Sequence, residues 1–526
     1  MGDHREVEWQ FDATGLEAVT RWLEESGSRG ALTVVSEGER ELTDTYYDTA
    51  GWRIFRAGYA VRVRRFGDGG AEATMKALTP GDGSGLRRRR EISEPLDGGL
   101  RKGVGPVGER VGNLAGPRGL RPLFEARTRR RVYALRRGDV RFGEVVLDET
   151  RVISPGGGVA AEMSRVEVET EDDALPVIEP FVRDLREGCC LEPAMASKFR
   201  VGLSAVGLEA PGPPEFGPRV FGMDSTAGEA AFAVLRVHFA RFLSHEGGVR
   251  LGEDPEELHD MRVAGRRVRA AIRIFDRALP VRLRAMEEDI RWILDFLGEV
   301  RDLDVQLERL KELSPDGFRE VEGAISELRG VLERRREKAR SELLRALNSR
   351  RYARFVETFA DLLRAGPTSS VAARRPLLEV APEILKALYR RVCRAQERLG
   401  AGPSAGDHHR LRRRVRRLRY ALEFFVPVYG GPARKYLRRL KEVQDVLGEH
   451  QDAVVCARQM RGIPASRGGD LLPQTLFVAG YVACSCDRRA GELRGALPET
   501  LGRLAGGRWK RLVRKMEKMQ RAGGVG

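Results

Sequence analysis

The second half of the chain contains the same residue pattern twice. Segments 259–302 and 409–452 each begin with His-x-x-Arg-x-x-x-Arg-Arg-x-Arg and end with Leu-Gly-Glu-x-x-Asp, and the final aspartate lies 43 residues after the histidine in both. Apolar residues recur at helical spacing in the flanking sequence, as in segment 291–313. A duplication of this length predicts two similar helical bundles, because each copy buries its apolar face against a neighbouring unit.

The first half of the chain has a different period. From Val7 to about Val168, short runs alternate apolar and polar residues between glycine- and proline-rich segments, which is typical of an antiparallel sheet. Segment 207–218 contains four prolines and cannot continue a helix or a central strand. The predicted fold class is therefore α+β: an N-terminal antiparallel sheet or β-barrel, followed by an all-α domain of two duplicated helical bundles. The predicted bounds are 1–206 for the barrel, 207–219 for the linker and 220–526 for the helical domain, with repeats at about 220–365 and 375–526.

Positive charge dominates the composition. The 526 residues include 93 Lys plus Arg against 77 Asp plus Glu, a formal net charge of +16, which predicts a polyanionic partner. Nucleic acid, an anionic membrane surface and polyphosphate all fit that balance. The chain has no apolar leader at its start and no run of 18 apolar residues, so we expect a cytoplasmic protein without membrane insertion. The six cysteines show no zinc-binding spacing and are expected to be reduced thiols.

Basic residues follow one stripe of the predicted helix in each repeat. In the first copy the 3,4 spacing places His259, Arg262, Arg266, Arg269 and Arg273 together, and in the second copy it does the same for His409, Arg412, Arg416 and Arg419. Later helices continue the basic surface, with Lys435, Arg438, Arg439, Lys441, Lys510, Arg511, Arg514 and Lys515. A solvated helix face is the alternative, but two matching copies favour a bound anion, since guanidinium groups hold two phosphate oxygens at once.

These two copies resemble a known family. The sequences HDMRVAGRRVRAAIRIF with LGEVRDLDV, and HRLRRRVRRLRYALEFF with LGEHQD, are similar to the two halves of a CHAD domain over about residues 220–526. The resemblance implies that the stripes, with Lys435 and Arg439, bind inorganic polyphosphate, and it adds association with polyphosphate granules to the expected location. Asp302, Asp304 and Asp452 are expected to orient arginines, with metal binding as the alternative. Nucleic acid ranks lower, because Tyr420, Phe424 and Phe425 have the spacing of packed core residues.

Charged residues in the first half share strand faces. Period-two alternation groups Glu6, Glu8 and Gln10, Arg62 with Arg64, Arg127 with Arg129 and Arg131, and Glu167 with Glu169. A solvated sheet surface is the alternative for any one strand, but four such strands predict a charged barrel interior. Basic groups there would hold a triphosphate, and carboxylates would hold Mg²⁺ or Mn²⁺, which prefer oxygen ligands.

A second resemblance covers about residues 1–205. The ordered landmarks that carry it are Glu6-Val-Glu8, Tyr46-Tyr-Asp-Thr49, Arg62-Val-Arg64, Met75-Lys76, Arg90-Glu91, Arg127-Thr-Arg129, Leu147-Asp148, Glu167-Val-Glu169 and Ser197-Lys198. They look like those of CYTH proteins, the triphosphate tunnel metalloenzymes. The resemblance implies catalytic and metal-binding roles for Glu6, Glu8, Glu167 and Glu169, with Asp148 and Glu91 as further acids. It implies triphosphate binding by Arg62, Arg64, Lys76, Arg127, Arg129 and Lys198. Gln10 departs from the family pattern ExExK, which has a lysine there.

The leading hypothesis combines both halves. The helical domain binds polyphosphate, and the barrel hydrolyses triphosphate or short polyphosphate with Mg²⁺ or Mn²⁺ as cofactor. The alternative is a polyphosphate-binding adaptor without turnover, which Gln10 favours because an uncharged amide stabilises a transition state less than lysine does. Thiamine triphosphate hydrolysis and nucleotide cyclisation rank lower. Chain-length preference and oligomeric state stay open.

Overall fold

Two compact units make up the structure. The computed structural model describes residues 3–25, 28–29, 32–79, 83–154, 156–312, 322–399, 405–463 and 471–523. The first unit consists of Met1–Pro213 with Glu246–Glu253, and the second consists of Pro214–His245 with Asp254–Gly526. The short segment that returns to the first unit lies between two helices of the second, and no sequence pattern predicted it.

The predicted antiparallel sheet closes into a ring. The strands are β1 (Asp3–Ala13), β2 (Ser28–Arg29), β3 (Leu32–Thr49), β4 (Tyr59–Phe66), β5 (Ala71–Ala77), β6 (Leu86–Pro95), β7 (Leu120–Arg137), β8 (Val140–Ile153), β9 (Val159–Thr170) and β10 (Glu192–Pro193). Pairing runs β1, β6, β5, β4, β3, β7, β8, β9 and returns from β9 to β1, while β2 pairs with β3 and β10 with β1. The ring and the helical second unit confirm the predicted fold class.

Eighteen α-helices lie in the described ranges. They are α1 (Glu17–Glu25), α2 (Arg53–Arg56), α3 (Gly105–Ala115), α4 (Leu175–Gly188), α5 (Lys198–Ala205), α6 (Ala227–Ser244), α7 (Glu246–Leu251), α8 (Pro255–Ile274), α9 (Val281–Ala285), α10 (Glu287–Glu312), α11 (Glu322–Leu347), α12 (Arg350–Ala365), α13 (Val371–Arg374), α14 (Leu377–Glu397), α15 (Ala405–Phe424), α16 (Val426–Arg461), α17 (Pro473–Gly502) and α18 (Gly507–Gly523). Helix α16 is interrupted at Gly430, where φ is 58°. None of the described helices combines the length and apolar composition that crossing a bilayer requires.

The apolar residues of the ring face outward. Successive strand residues point to opposite faces, so Val166 and Val168 lie on one side while Glu167 and Glu169 lie on the other. The apolar side is buried under helices, and Val168 packs in one core cluster with Ile178 and Leu185 of α4. Burying that outer face under α1 and α4 turns the charged face toward the inside of the ring. The alternation thus places charge in the interior.

Helix α5 is fixed close against strand β7. The Ser197 hydroxyl accepts a hydrogen bond from the Arg200 amide, which caps the helix N-terminus. Gly202 lies against the Phe124 ring so closely that a Cβ at this position would overlap it. This seating fixes the position of Lys198, the first residue of α5.

The second unit shows the duplication as matching helices. In the first repeat α8 packs on α10, and α10 on α11; in the second, α15 packs on α16, and α16 on α17. Helices α8 and α15, which carry the two basic stripes, contact each other. Helix α6 begins with a capping box in which Thr226 and Glu229 bond to each other's backbone amides.

We predict that Gly202→Val destabilises the first unit. The added side chain must displace the Phe124 ring or α5, and overpacking of this kind costs about 1–3 kcal/mol. Thermal unfolding measures the effect. Gly212→Val is the matched control, because a Cβ there meets no atom within 4 Å. Equal thermal unfolding midpoints for the two variants would contradict the close contact between Gly202 and Phe124.

Candidate functional site

A cavity inside the strand ring is lined by charged side chains. Its acidic, basic and amide lining residues are Glu6, Gln10, Arg62, Arg64, Glu72, Lys76, Arg89, Glu91, Arg130, Glu167, Glu169 and Lys198. Seven of the predicted site residues are among them: Glu6, Glu167, Glu169, Arg62, Arg64, Lys76 and Lys198. Glu8 and Asp148 are fully buried and pair with lining cations. The cavity therefore gathers most of the predicted barrel residues.

On one side of the cavity, cations are held by buried carboxylates. Arg64 Nε donates to Asp44 Oδ1 at 2.8 Å, and Arg62 Nη1 lies 3.5 Å from Asp44 Oδ2. Burial alone would raise the pKa of Asp44, but the two guanidinium groups hold it well below its usual range. Lys76 Nζ lies 2.7 Å from Glu6 Oε1 and 3.0 Å from Glu91 Oε2. Burial opposes its charge, yet these carboxylates raise the pKa of Lys76.

The other side of the cavity is organised around Asp148 and Glu167. Arg130 donates to both oxygens of Asp148, at 2.8 and 2.6 Å, and Lys198 also contacts this carboxylate. The Glu167 carboxylate forms ion pairs with Lys198 at 3.1 Å and with Arg130 at 3.3 Å. It also accepts a 2.9 Å hydrogen bond from Gln10 Nε2. Both oxygens of Asp148 are in contact with cations, so in this structure the carboxylate holds Arg130 and Lys198. Its role as a metal ligand stays a prediction.

Three carboxylates also converge in the cavity, and two of them, Glu6 and Glu8, contact Lys76 and Arg89. One oxygen each of Glu6, Glu8 and Glu169 lies within 4.8 Å of the others, and we call these residues the carboxylate triad. The register explains the convergence: positions 6 and 8 share the inner face of β1, and Glu8 is the Cα partner of Glu169 across the β1–β9 pair. Burial and the charge of Glu6 raise the pKa of Glu169 to about 7.

The triad fits a hard divalent cation. Glu8 Oε2 is buried and has no hydrogen-bond partner among the described residues, so one acceptor lone pair remains available. Three converging carboxylates are a donor set of the kind that Mg²⁺ and Mn²⁺ take, with water completing the coordination. The fourth predicted ligand, Glu167, lies outside this group because Gln10, Arg130 and Lys198 occupy its oxygens.

Two predicted phosphate-binding residues face away from the cavity. The side chains of Arg127 and Arg129 are 65% and 52% exposed, and they pair with Glu125 and Glu149 on the outer surface. Arg130, which is only 13% exposed, occupies the interior instead. The pairing of Arg130 with Asp148 across β7 and β8 accounts for the inward orientation of Arg130. Phosphate binding by Arg127 and Arg129 stays a prediction.

Sequence reasoning also missed Arg89 and Asp44. Arg89 lines the cavity and contacts both Glu6 and Glu8. Its signal was available, because Arg89 precedes Glu91 by two positions and therefore shares its strand face. No sequence pattern indicated Asp44, because its contact with Arg62 and Arg64 follows from the β3–β4 pairing.

In the second unit, four arginines from the two repeats converge where α8 meets α15. Arg262, Arg266, Arg412 and Arg416, which we call the arginine centre, each lie close enough to influence the ionisation of others in the group. The nearest carboxylates are distant for ion pairs: Arg262 Nη2 is 3.8 Å from Asp302 Oδ1, and Arg412 Nη2 is 3.6 Å from Asp452 Oδ1. Arg266 and Arg416 form no ion pair with any described residue.

The arginine centre is an undercompensated positive site. Burial lowers the pKa of Arg262, and neighbouring Arg266 lowers it further. Burial and the charges of Arg412, Arg266 and Arg262 lower the pKa of Arg416 to about 10, although Tyr420 opposes that shift. Cations held together in this way favour a bound anion, because its charge removes their mutual repulsion.

The remaining stripe residues lie outside this centre. Arg269 and Arg273 both pair with Glu287, and Arg419 pairs with Glu423. Lys435 is exposed on α16, and Arg439 on the same helix pairs with Glu442. The sequence-predicted helical site therefore divides into a central group and a set of peripheral cations.

The two predicted histidines occupy different environments. His259 is half-buried and its pKa is lowered by burial and by Arg301, whereas His409 is exposed, with Nδ1 3.1 Å from Gln451 Oε1. Two histidines of the second repeat are buried, His408 and His450, and their ring centroids lie 4.9 Å apart. Sequence reasoning missed this pair, which stands where the first repeat has Leu258 and Val300.

Comparison with protein families divides the chain into the same two parts. Residues 5–186 match the family model of the CYTH domain, and residues 233–461 match that of the CHAD domain. An uncharacterized protein of Mycobacterium tuberculosis strain H37Rv is 31% identical over 230 residues, which are 41% of this chain and 42% of that protein. The chain thus spans less than half the length of this curated relative.

Solved structures resemble each part separately. The CHAD domain from the plant Ricinus communis is 27% identical, with a TM-score of 0.47, and the match covers 56% of this chain and 96% of that domain. An adenylyl cyclase homologue from Hippeastrum, reported to have a dominant triphosphatase activity, is 20% identical, with a TM-score of 0.31. That match covers 39% of this chain and 98% of the Hippeastrum chain.

We predict that divalent cations stabilise the protein more at pH 8 than at pH 6. Glu169, with its pKa raised to about 7, is mostly protonated at pH 6 and must ionise to bind a cation. The same raised pKa means that, without a cation, stability falls as pH rises from the unfolded pKa through 7. The Tm shift caused by a fixed concentration of Mn²⁺, measured at both pH values, tests this.

One variant tests the role of Glu169, and a second serves as its control. Glu169→Gln is expected to remove most of the pH dependence, and Glu162→Gln, an exposed residue on the same strand that pairs with Arg151, is expected to keep it. A Mn²⁺ shift of equal size at pH 6 and pH 8 in the parent would remove Glu169 from the cation site.

Proposed function

We propose, from the premise that this chain joins a CYTH domain to a CHAD domain, that it binds inorganic polyphosphate and hydrolyses triphosphate or short polyphosphate. The observation that supports hydrolysis is the charged cavity, in which the carboxylate triad lies together with six cations. The observation that supports polyphosphate binding is the undercompensated arginine centre. Each activity rests on its own unit.

In the barrel, the cations would bind the substrate and orient it. Arg62, Arg64 and Lys198 line the cavity, and their buried carboxylate partners fix them before substrate arrives, so little reorganisation is needed. Arg130 and Lys76 add charge from neighbouring strands. Positioning and electrostatic stabilisation account for most of the rate acceleration in phosphoryl transfer, and preorganised cations supply both.

The triad would hold Mg²⁺ or Mn²⁺ beside the bound phosphates. A cation there would polarise a phosphoryl oxygen and neutralise charge that develops on the leaving group. Without a cation, burial and Glu6 raise the pKa of Glu169 to about 7, so loss of its proton would accompany binding of the cation. Glu6 is held by Lys76 and contacts Arg89, which keeps its carboxylate pointed into the cavity.

In the helical unit, the arginine centre would bind the polyphosphate chain. Arg266 and Arg416 have no acidic partner among the described residues, so their donors are free for phosphate oxygens. Asp302 and Asp452, one from each repeat, lie at symmetric positions beside Arg262 and Arg412. At 3.6 to 3.8 Å they orient these arginines without satisfying them, which leaves room for a stronger anionic partner.

One observation favours a second candidate function, a polyphosphate-binding adaptor whose barrel does not turn over. Gln10 donates an amide hydrogen to Glu167 and adds no charge to the cavity. A lysine at this position would add a seventh cation to the six that line it. Substrate binding could persist without it, while stabilisation of the transition state would weaken.

We predict that the parent releases phosphate from inorganic triphosphate in the presence of Mn²⁺ or Mg²⁺. Glu6→Gln with Glu8→Gln should lower the rate at least about 100-fold, because two of the three converging carboxylates lose their charge. Glu37→Gln with Glu39→Gln is the matched control: both residues lie on β3 and pair with surface arginines. Phosphate release over time is the measurement.

Gln10→Lys separates the two candidate functions. For an active enzyme we expect about a tenfold gain in phosphate release, equivalent to about 1.4 kcal/mol of added transition-state stabilisation. A parent that binds triphosphate without metal-dependent release, and a Gln10→Lys variant that gains release, would identify the adaptor. A parent that neither binds nor cleaves triphosphate would contradict the proposal for the barrel.

We predict that long-chain polyphosphate binds the parent and that Arg412→Gln with Arg416→Gln weakens binding at least about tenfold. These residues belong to the arginine centre, and each contact between a charged group and phosphate contributes about 1.5–3 kcal/mol. Titration of each protein with long-chain polyphosphate at physiological salt measures the affinity. Arg410→Gln with Arg413→Gln, exposed on the same helix, is the control with equal charge change. Equal affinities in the two double variants would exclude the arginine centre.

A further inference from the structure

The last described helix carries many cations without partners. Helix α18 buries Trp509, Leu512 and Met516 against its own unit and exposes its basic face to solvent. The exposed cations are Arg508, Lys510, Arg511, Arg514, Lys518 and Arg521. None of these six forms an ion pair with a described residue, and Glu517, the only acid on α18, pairs with Lys386. The CHAD family match ends at residue 461, so this helix lies beyond it.

The neighbouring part of α16 has the same character. Arg434, Lys435, Arg438 and Lys441 are exposed, and within the described ranges none of them forms an ion pair. Helices α16 and α18 pack against each other through their apolar faces, where the Tyr436 and Trp509 ring centroids lie 5.2 Å apart. We call these ten exposed cations the α16/α18 surface.

Helix α16 connects this surface to the arginine centre. Downstream of Lys441 the same continuous helix carries Asp452, whose carboxylate lies beside Arg412. At 1.5 Å per residue, Lys441 lies about 16 Å and Arg434 about 27 Å from Asp452 along the helix axis. A polymer bound at the arginine centre therefore reaches the α16/α18 surface only if it is long enough to span that distance.

We propose that the α16/α18 surface is a second polyphosphate contact, which binds the segment of a long chain that extends beyond the arginine centre. The inference rests on the proposed function and adds a chain-length preference to it. Once one segment is bound, contact of the next is intramolecular and needs no new encounter, so affinity rises with length. No large aromatic side chain is exposed on α18 among the described residues, so the surface offers phosphate contacts and no platform for bases.

The test compares long-chain polyphosphate with a chain too short to span the roughly 16 Å from Asp452 to Lys441. The surface variant carries Lys510→Gln, Arg511→Gln, Arg514→Gln and Lys518→Gln. We expect its affinity for the long chain to fall at least tenfold and its affinity for the short chain to stay within a factor of two. The magnitude of the slope of log affinity against log salt concentration should decrease by about 3. Each lost phosphate contact contributes about 0.7, the value for single-stranded nucleic acid.

A matched control removes the effect of net charge. Arg282, Arg334, Arg350 and Arg354 are exposed in the same unit and form no ion pair with described residues, so their replacement by Gln makes the same charge change elsewhere. This variant is expected to bind both chains as the parent does. Equal losses in the surface and control variants would contradict the proposal, as would parent-like long-chain binding by the surface variant.

The outcomes also separate this inference from the proposed function. A parent that binds neither chain length contradicts polyphosphate binding itself. A parent that binds both chains equally, and loses both in Arg412→Gln with Arg416→Gln, keeps the arginine centre and overturns the second contact. Loss of duplex DNA binding in the surface variant, with long-chain polyphosphate binding intact, assigns the surface to nucleic acid and also overturns the proposal.

Discussion

Closing the sheet into a ring takes charged side chains out of water, and the structure of the first unit depends on how they are compensated. Because α1 and α4 cover the outer apolar face, every second residue of the strands turns inward. Isolated charges in such a space are strongly unfavourable, and each of the six cations that line the cavity has a carboxylate within reach, as Arg64 has Asp44 and Arg130 has Asp148. The ion pairs position the cations before any ligand binds.

The two units arrange their cations in opposite ways. The cavity of the barrel pairs each of its six cations with acids, which fixes their geometry and leaves an excess of carboxylate charge. The arginine centre gathers like charges around two distant aspartates and remains positive. The first arrangement suits a short substrate that must be oriented with a cation, and the second suits a long polyanion that supplies its own compensation.

Periodicity predicted the fold class and most inward-facing charges, because apolar neighbours mark the opposite face. Glu167 and Glu169 alternate with Val166 and Val168, so their face was readable from sequence. The run from Arg129 to Arg131 has no apolar member, and only the pairing of β7 with β8 shows that Arg130 turns inward. For the same reason the stripe in each helical repeat was visible. The separation of Arg419 from Arg416 was readable as well, because Arg419 pairs with Glu423 four residues further along the same helix.

The balance of charge in the cavity gives Gln10 its significance. Six cations line the cavity, against eight carboxylates that line it or pair directly with those cations, an excess of two negative charges when all are ionised. A lysine at position 10 would halve that excess and would compete for Glu167, which Lys198 and Arg130 already hold. Glutamine keeps the hydrogen bond to Glu167 and preserves the negative excess, which is concentrated at Glu6, Glu8 and Glu169. Under the proposed function, glutamine in place of lysine removes one contact with phosphate and increases the attraction for a divalent cation, so we expect the binding of cation and substrate to be more tightly linked than in a cavity with lysine.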